Sequence, residues 1–347
     1  MKRSNRVTIK DVARRAGVSV ATVSKVINNR YGVSEDTFAR VQGVIDELGY
    51  ETSLVAQSLR SHRTNVIGIL VVDLEPFSTE LLKGAAKGMH DTGYELVVYS
   101  ASGLGHDVDG WERRYLSRIS GTLTDGVILV APSVVDAPHA GPLVAVDPHL
   151  GAWNLPTVDA DNLKGARVAT EYLIGLGHRR IGFLAGRTDL ESVRLREQGY
   201  RDALADAGIP FDPALVQVGE FRPDGSAAAA GRLLDQNPRP TAIFAANDLS
   251  AAETMTVAQG RGLVVPDDLS VVGFDNIPES ALASPPLTTV DQSIQRMGLE
   301  AVRMLIGIIK NESSEPPHVT LPTELVIRQS CSPPRLPRQR RRARPTA

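Results

Sequence analysis

Asn247 and Asp248 stand immediately after the apolar run 242–245, and Asp275 immediately after the run 271–274. Phe77 lies in the stretch 73–78, which follows another such run at 66–72. Open parallel α/β sheets gather ligands at the carboxyl ends of their strands. Carboxylates and amides beside an apolar ring suit a polyol at such a place: they form paired hydrogen bonds to vicinal hydroxyls while the ring stacks on a C–H face. Each acid serves equally well as a helix cap or a solvated loop residue, and Phe77 as core packing. Asp147 and Asp161 occupy comparable positions. Catalytic patterns are missing. The seven histidines form neither an HExxH motif nor a zinc-ligand spacing, and there is no Gly-x-Ser-x-Gly elbow or Walker-type Gly-Lys-Ser/Thr loop. Gly103-Leu104-Gly105 lacks the third glycine of a dinucleotide fingerprint. The expectation is a binding protein without metal or cofactor, not an enzyme.

A second chemistry is concentrated in the first fifty residues. On a helix over 20–28, the residues Val20, Ala21, Thr22, Ser24, Lys25 and Asn28 form an exposed face. Small Val20 and Ala21 let such a helix enter a DNA major groove deeply and touch thymine methyls, and Lys25 can donate to guanine O6 and N7. Thr8, Ser19, Thr22, Ser24, Asn28 and Ser34 carry hydroxyl or amide groups suited to phosphate oxygens, which set register without reading sequence.

These side chains need elements to hold them. Thr8 stands as the N-cap of a helix with Ile9, Val12, Ala13 and Ala16 on one face. Gly17 suits a left-handed turn, and Ser19 caps a second helix with Val23, Val26 and Ile27 inward. Ser34 caps a third helix that buries Val41, Val44, Ile45 and Leu48 and ends at Gly49. Two short helices around a glycine turn, closed by a third, form a helix-turn-helix unit. Beyond residue 64, apolar runs at 66–72, 95–99, 126–130, 143–146, 180–184, 242–245 and 269–274 alternate with helical stretches. That alternation predicts parallel sheets flanked by helices. At about 265 residues the stretch is long for one sheet, so two lobes are expected.

Composition agrees. The chain has 347 residues, of which 42% are hydrophobic and 22% charged, as in a globular protein of two or three domains. Its longest apolar run, 66–72, is far short of the roughly 20 residues that cross a bilayer. The polar opening shows no secretory signal, so a cytoplasmic location and no membrane partner are expected. A single cysteine, Cys331, excludes an internal disulfide framework and a thiol metal cluster. The net charge of −2 hides a segregation: residues 1–65 carry +5 (11 basic against 6 acidic), the arginines after residue 332 carry +6, and the stretch between carries −13. A basic head on an acidic body suggests a polyanionic partner for the head.

The segments Thr8-Ile9-Lys10-Asp11-Val12-Ala13, Ala16-Gly17-Val18-Ser19 and Thr22-Val23-Ser24-Lys25-Val26-Ile27-Asn28 resemble the DNA-binding head of the LacI/GalR family of repressors. The resemblance runs through Tyr50 and resumes over almost the whole body. It implies a small all-α helix-turn-helix head plus an α/β body of two doubly wound parallel-sheet lobes, similar to periplasmic binding proteins, with crossovers near Val158, Leu287 and Thr320. The implied domains are the head at 1–49, a hinge helix or linker at 50–64, and a first lobe at 65–158 with 288–319. A second lobe spans 159–287 with 320–330, and a disordered basic tail spans 331–347. By the same resemblance, 53–60 is a hinge helix that forms on operator binding. Leu59 is its apolar wedge in the minor groove, and Ala56 packs against the dimer mate. Thr52-Ser53 replaces the family's common Pro-Asn, which removes a rigid helix start but leaves Ser53 as a cap. Lys25 stands where relatives often have arginine and lacks the bidentate fork. Arg196, the second arginine of Arg194-Leu195-Arg196 ahead of a helix, takes the place of the arginine that grips ligand. Phe221 stands where related repressors carry an aromatic, and Gln292 follows the crossover at 285–290. The implied ligand set is therefore Phe77, Arg196, Phe221, Asn247, Asp248, Asp275 and Gln292.

The function implied is a ligand-responsive, sequence-specific transcriptional regulator. It would act as a repressor, binding a near-palindromic double-stranded operator as a homodimer and released by a sugar or related small metabolite. Two other classes compete. A solute-binding protein would have a similar body but carry a secretory signal and no basic head. A doubly wound enzyme would need a cofactor loop. The Arg/Pro tail lacks heptad leucines, so no tetramer-forming coiled coil is expected, only a solvated extension.

Overall fold

Thr8 closes the start of the first helix. Its N–H and its Oγ1 both donate to Asp11 Oδ2, at 3.0 and 2.6 Å, and these bonds hold the Asp11 carboxyl below the usual carboxylate range. The computed structural model describes residues 7–27, 31–50, 63–101, 111–119, 123–132, 141–148, 155–312 and 318–335. Asn28, Ala56, Leu59 and the rest of the expected hinge helix lie outside them. The chain divides into two units, 1–64 and 65–347.

In the first unit, α1 (Ile9–Ala16) ends at Gly17, whose φ of 68° is the left-handed turn expected there. The helix α2 (Val20–Ile27) is capped by Ser19, whose Oγ accepts from the Thr22 N–H at 3.1 Å. Such a cap contributes about 1 kcal/mol. Ser34 holds the N-cap position of α3 (Glu35–Leu48), but its hydroxyl donates to Thr37 Oγ1 at 2.9 Å and makes no cap bond to a helix N–H. Val12, Ala13, Ala16, Val23, Val26 and Val41 form the core that the three helices share, with Val44, Ile45 and Leu48 packed partly buried around it.

The second unit holds two parallel sheets. The first is ordered β2 (Glu95–Ser100), β1 (Val66–Val71), β3 (Gly126–Val130), β4 (Leu143–Val146), β5 (Thr157–Ala160), β11 (His318–Leu321). Its central strands are apolar on both faces because helices cover both. Ile67, Ile69 and Val71 pack with α4 (Pro76–Gly88) and α11 (Ile294–Ile309), whereas Leu70 packs with α5 (Trp111–Ile119). Where α4 and α11 cross, Gly84 meets backbone directly: a Cβ there would lie 1.7 Å from the Gln295 carbonyl oxygen.

The second sheet is ordered β7 (Val216–Val218), β6 (Ile181–Ala185), β8 (Ala242–Ala245), β9 (Ser270–Val272). One face is covered by α6 (Asn162–Gly175) and α7 (Glu191–Asp206), the other by α8 (Pro223–Leu234) and α9 (Asp248–Gly260). The short strands β10 (Thr289–Asp291) and β12 (Glu324–Val326) pair antiparallel. In both sheets the strand order reverses beside the leading strand, between β1 and β3 and between β6 and β8.

Several sequence boundaries move. Residues 159–160 and 320–321 pair with each other as the ends of β5 and β11, so the expected edges at 158/159 and 319/320 fall inside strands of the first sheet. Thr288 and Asp291 still bridge Val272 and Asp275, so the chain stays beside the second sheet past residue 287. Residues 331–335, expected to start a disordered tail, are ordered against the second sheet. The Ser332 N–H donates to Ser270 Oγ at 3.0 Å, the Cys331 thiol donates to the Val271 carbonyl at 3.2 Å, and Arg335 pairs with Asp268 at 2.9 Å and with Asp267. Hydrogen bonds to β9 hold Cys331 and Ser332, and Arg335 is tied to the two aspartates before that strand; residues from 336 onward lie outside the described residues.

Candidate ligand cleft and DNA-reading helix

Residues that follow both reversal points line one cavity of about 750 Å3: Val72 and Asp73 after β1, Ala131 after β3, Arg187 after β6 and Asn247 after β8. A crevice at the carboxyl ends of strands beside a reversal of strand order is where open α/β sheets bind ligands. Six of the expected residues, Phe77, Arg196, Phe221, Asn247, Asp275 and Gln292, line this one cavity, and Asp147 joins them.

Arg196 does not precede a helix; it lies inside α7, on the buried face with Val193, Gly199, Tyr200 and Ala203. Only 3% exposed, it is held on every side. Its Nε donates to Asn162 Oδ1 at 2.8 Å, Nη1 to the Ala246 carbonyl at 2.5 Å, and Nη2 to Gln292 Oε1 at 3.4 Å. The guanidinium stacks 3.8 Å over the Phe274 ring, and Nη1 lies 3.6 Å from Asp275 Oδ1. Gln292 in turn donates through Nε2 to Asp275 Oδ1 at 2.5 Å. Asn162 is the first residue of α6, just after the chain leaves the first sheet, and Gln292 lies just before it returns through α11. One guanidinium therefore ties two of the three passages between the sheets.

Burial pushes the Asp275 carboxyl well above the ordinary range; Arg196 opposes the shift, and Asp248, Glu75 and Asp147 add to it. Asp147, at the end of β4, accepts from Ser192 Oγ at 3.1 Å, and burial raises its carboxyl too. Phe221 is held in a left-handed conformation at φ 59°, and its ring lies where a Cβ on Gly186 would be, 2.1 Å from Cζ. Asn247 lines the cavity while its Oδ1 accepts the Ser250 N–H at 2.9 Å as the cap of α9.

Asp248, expected in the ligand set, does not line the cavity. Its side chain turns away from the cavity into the core behind it: Oδ2 accepts from the Ile277 N–H at 3.0 Å and Oδ1 from Thr289 Oγ1 at 2.5 Å. Burial pushes its carboxyl up to about 7 against those hydrogen bonds. It fixes the loop after β9 to β10. Asp161 also lies off the cavity; its Oδ1 accepts from the Lys164 N–H at 3.1 Å as the cap of α6. The strand-end rule that points to 73–78 applies equally to Arg187, which forks onto Asp189 at 2.8 and 3.2 Å. Trp111 and Glu112, at the start of α5, line the cavity without any signal in the sequence.

In the head, Val20 is 38% exposed, and Ala21 and Lys25 are exposed beside it. Thr22 and Ser24 are partly buried at the edge of that face, and Thr8, Ser19 and Ser34 are exposed at helix starts. Among the described residues no helix is long and apolar enough to cross a membrane, and no group of His, Cys, Asp and Glu is placed to hold a metal ion.

Known proteins share both parts. Residues 8–53 match the bacterial regulatory proteins of the lacI family, and residues 170–331 match the periplasmic binding protein-like domain. The chain is 36% identical to the HTH-type transcriptional regulator CelR of Thermobifida fusca over 95% of its own length and 100% of that protein's. Among solved structures it is similar to a CelR–cellobiose complex (TM-score 0.70, 34% identity), covering 94% of this chain and 100% of that one. It is also similar to the Lac repressor dimer bound to operator and an anti-inducer (TM-score 0.82, 28% identity), with the same coverage. These proteins are regulators, not enzymes. With a capped three-helix head and a body of two parallel sheets around one cavity, this chain belongs to the LacI family: it is a ligand-responsive, DNA-binding transcriptional regulator.

Proposed function

We propose that the protein is a cytoplasmic repressor that binds a near-palindromic operator as a homodimer and releases it when a sugar or related polyol fills the cleft. In this reading α2 enters the major groove, with Val20, Ala21 and Lys25 at base edges and Thr8, Ser19, Thr22, Ser24, Asn28 and Ser34 at phosphates. Ala56 and Leu59 act at the minor groove between the two half-sites. Phe77, Arg196, Phe221, Asn247, Asp275 and Gln292 hold the effector, with Asp147 beside them. The operator carried by the Lac repressor structure and the cellobiose held by CelR support both halves of the reading.

The observation that carries it is the position of Arg196. A ligand oxygen that draws its guanidinium into the cavity competes with Asn162 and Gln292, the residues beside two passages between the sheets. Effector binding then favours one arrangement of the lobes over another, and a differential affinity of this kind is all that a population shift requires.

The test uses the full chain and a duplex selected from a random library. Specific binding should exceed random-duplex binding and weaken steeply with salt. Lys25→Ala should weaken the selected complex by about 1–3 kcal/mol while barely changing random-duplex affinity. A protein that selects no duplex in dilute buffer would overturn the reading.

A further inference from the structure

The cleft is crowded with acid. Among the described residues, seven carboxyl side chains line it against three guanidinium groups. Two of the three are already engaged: Arg187 forks onto Asp189, and Arg196 is held by Asn162, the Ala246 carbonyl and Gln292 while facing Asp275. The third, Arg222, is exposed. Glu75 lies close enough to Asp73 and to Asp275 for their charges to be felt, and Asp147 is close enough to Asp275. Asp147 and Asp275 therefore face one buried cation, Arg196, whose donors already point at protein, while Glu75, exposed at the cavity, sits beside Asp73 and Arg187.

An ionised carboxylate only accepts hydrogen bonds. A glycan hydroxyl can donate to it; a phosphate or a second carboxylate cannot, and brings a further negative charge into a site with reduced screening. Arg187 acts on Glu75 and Arg196 on Asp147, but both guanidiniums already donate to protein, Arg187 to Asp189 and Arg196 to the Ala246 carbonyl. We infer that Glu75 and Asp147, with the Asp275–Arg196 pair behind them, make the cleft an anion filter: it accepts uncharged, hydroxyl-rich glycans and refuses their phosphorylated or uronic counterparts. This rests on the cavity being the effector site.

The test titrates the operator-bound full-length protein at fixed ionic strength. The probes are a panel of neutral mono- and disaccharides, including glucose, xylose and cellobiose, set against glucose 6-phosphate, glucuronate, cellobiose 6-phosphate and inorganic phosphate. A neutral sugar should shift the operator complex at a concentration at least a hundredfold lower than its anionic counterpart. Glu75→Gln, and separately Asp147→Asn, should narrow that ratio about tenfold each, as expected for one charge removed at short range. An anionic sugar that acts at equal or lower concentration overturns the filter but leaves the effector reading standing. So does a ratio that neither substitution moves. If no sugar of either kind shifts the complex or the melting temperature, the effector reading itself falls, and the filter with it.

Discussion

Asp248 and Asp275 are the same residue type, each just past a strand of the second sheet, yet only one faces the cavity. The difference lies in the backbone. Asp248 is the first residue of α9, so its carboxyl turns back along the helix start onto Thr289 and the Ile277 N–H. Asp275 sits at φ 119°, outside any helix, and this conformation presents its carboxyl to Arg196 and Gln292. Nothing in the pattern Asn247-Asp248 distinguishes a cap from a cavity residue, whereas the family resemblance points to Arg196 and Gln292, both of which line the cavity. Trp111 and Glu112 are not legible in the sequence, because neither follows a strand. Phe221 offers the cleanest residue-level experiment. Its ring rests on the bare backbone of Gly186, so Gly186→Ala would set a Cβ 2.1 Å from Cζ and expel the ring from its place. Effector affinity should fall about tenfold or more, while binding to the selected operator without effector is retained. Isothermal titration of the variant checks this, and an unchanged affinity would remove Phe221 from the ligand set.

At the scale of elements, the helix pair α4 and α11 links the cleft to the first sheet. Phe77 opens α4 and Gln292 lies just before α11, so both helices begin at cavity residues. Farther along, Gly84 and Gly298 let the two backbones touch, and Lys87 Nζ donates to Gln295 Oε1 at 2.6 Å while Gln295 Nε2 donates to Glu80 Oε2 at 2.6 Å. Backbone contact leaves nothing to yield. Gly84→Ala must push α4 off α11, and overpacking of this kind costs about 1–3 kcal/mol or more. A melting temperature lowered by several degrees is expected, together with an altered effector response. Thermal unfolding with and without effector measures both, and a variant as stable as the parent would show that the crossing is loose. Long elements were the legible ones. The head helices declared themselves through Thr8, Ser19, Gly17 and Gly49, and the central strands through unbroken apolar runs. The strands β7, β10 and β12 have three residues each and half-polar sequences, too short for periodicity to register. Their places are set by the sheets they join.

For the molecule as a whole, the segregation of charge and the buried acid of the body act together. A basic head meets the polyanion while the acidic body senses a small molecule, and by linkage the factor that effector takes from operator affinity is the factor operator takes from effector affinity. The same buried acid sets the pH response of stability. Asp147, Asp159, Asp248 and Asp275 are all raised, chiefly by burial, so the folded protein holds these protons more tightly than the unfolded chain. Their contribution is present at acid pH and is lost as pH rises from the unfolded value near 4 through the folded values, about 7 for Asp248. His178 opposes them. Buried between Thr241, Ser270 and the Ser332 carbonyl, it is pushed below the ordinary histidine value, and its contribution is lost as pH falls below about 6.5. Asp248, pushed up to about 7, therefore lowers stability as pH rises toward neutrality. Asp248→Asn keeps the shape and removes the titration, so its unfolding free energy should depend less steeply on pH between 5 and 7, by at most about 1.4 kcal/mol per unit. Denaturant unfolding of both proteins across that range decides it. Parallel curves would mean that Asp248 stays ionised in the core and that Thr289 and the Ile277 N–H suffice to hold it so.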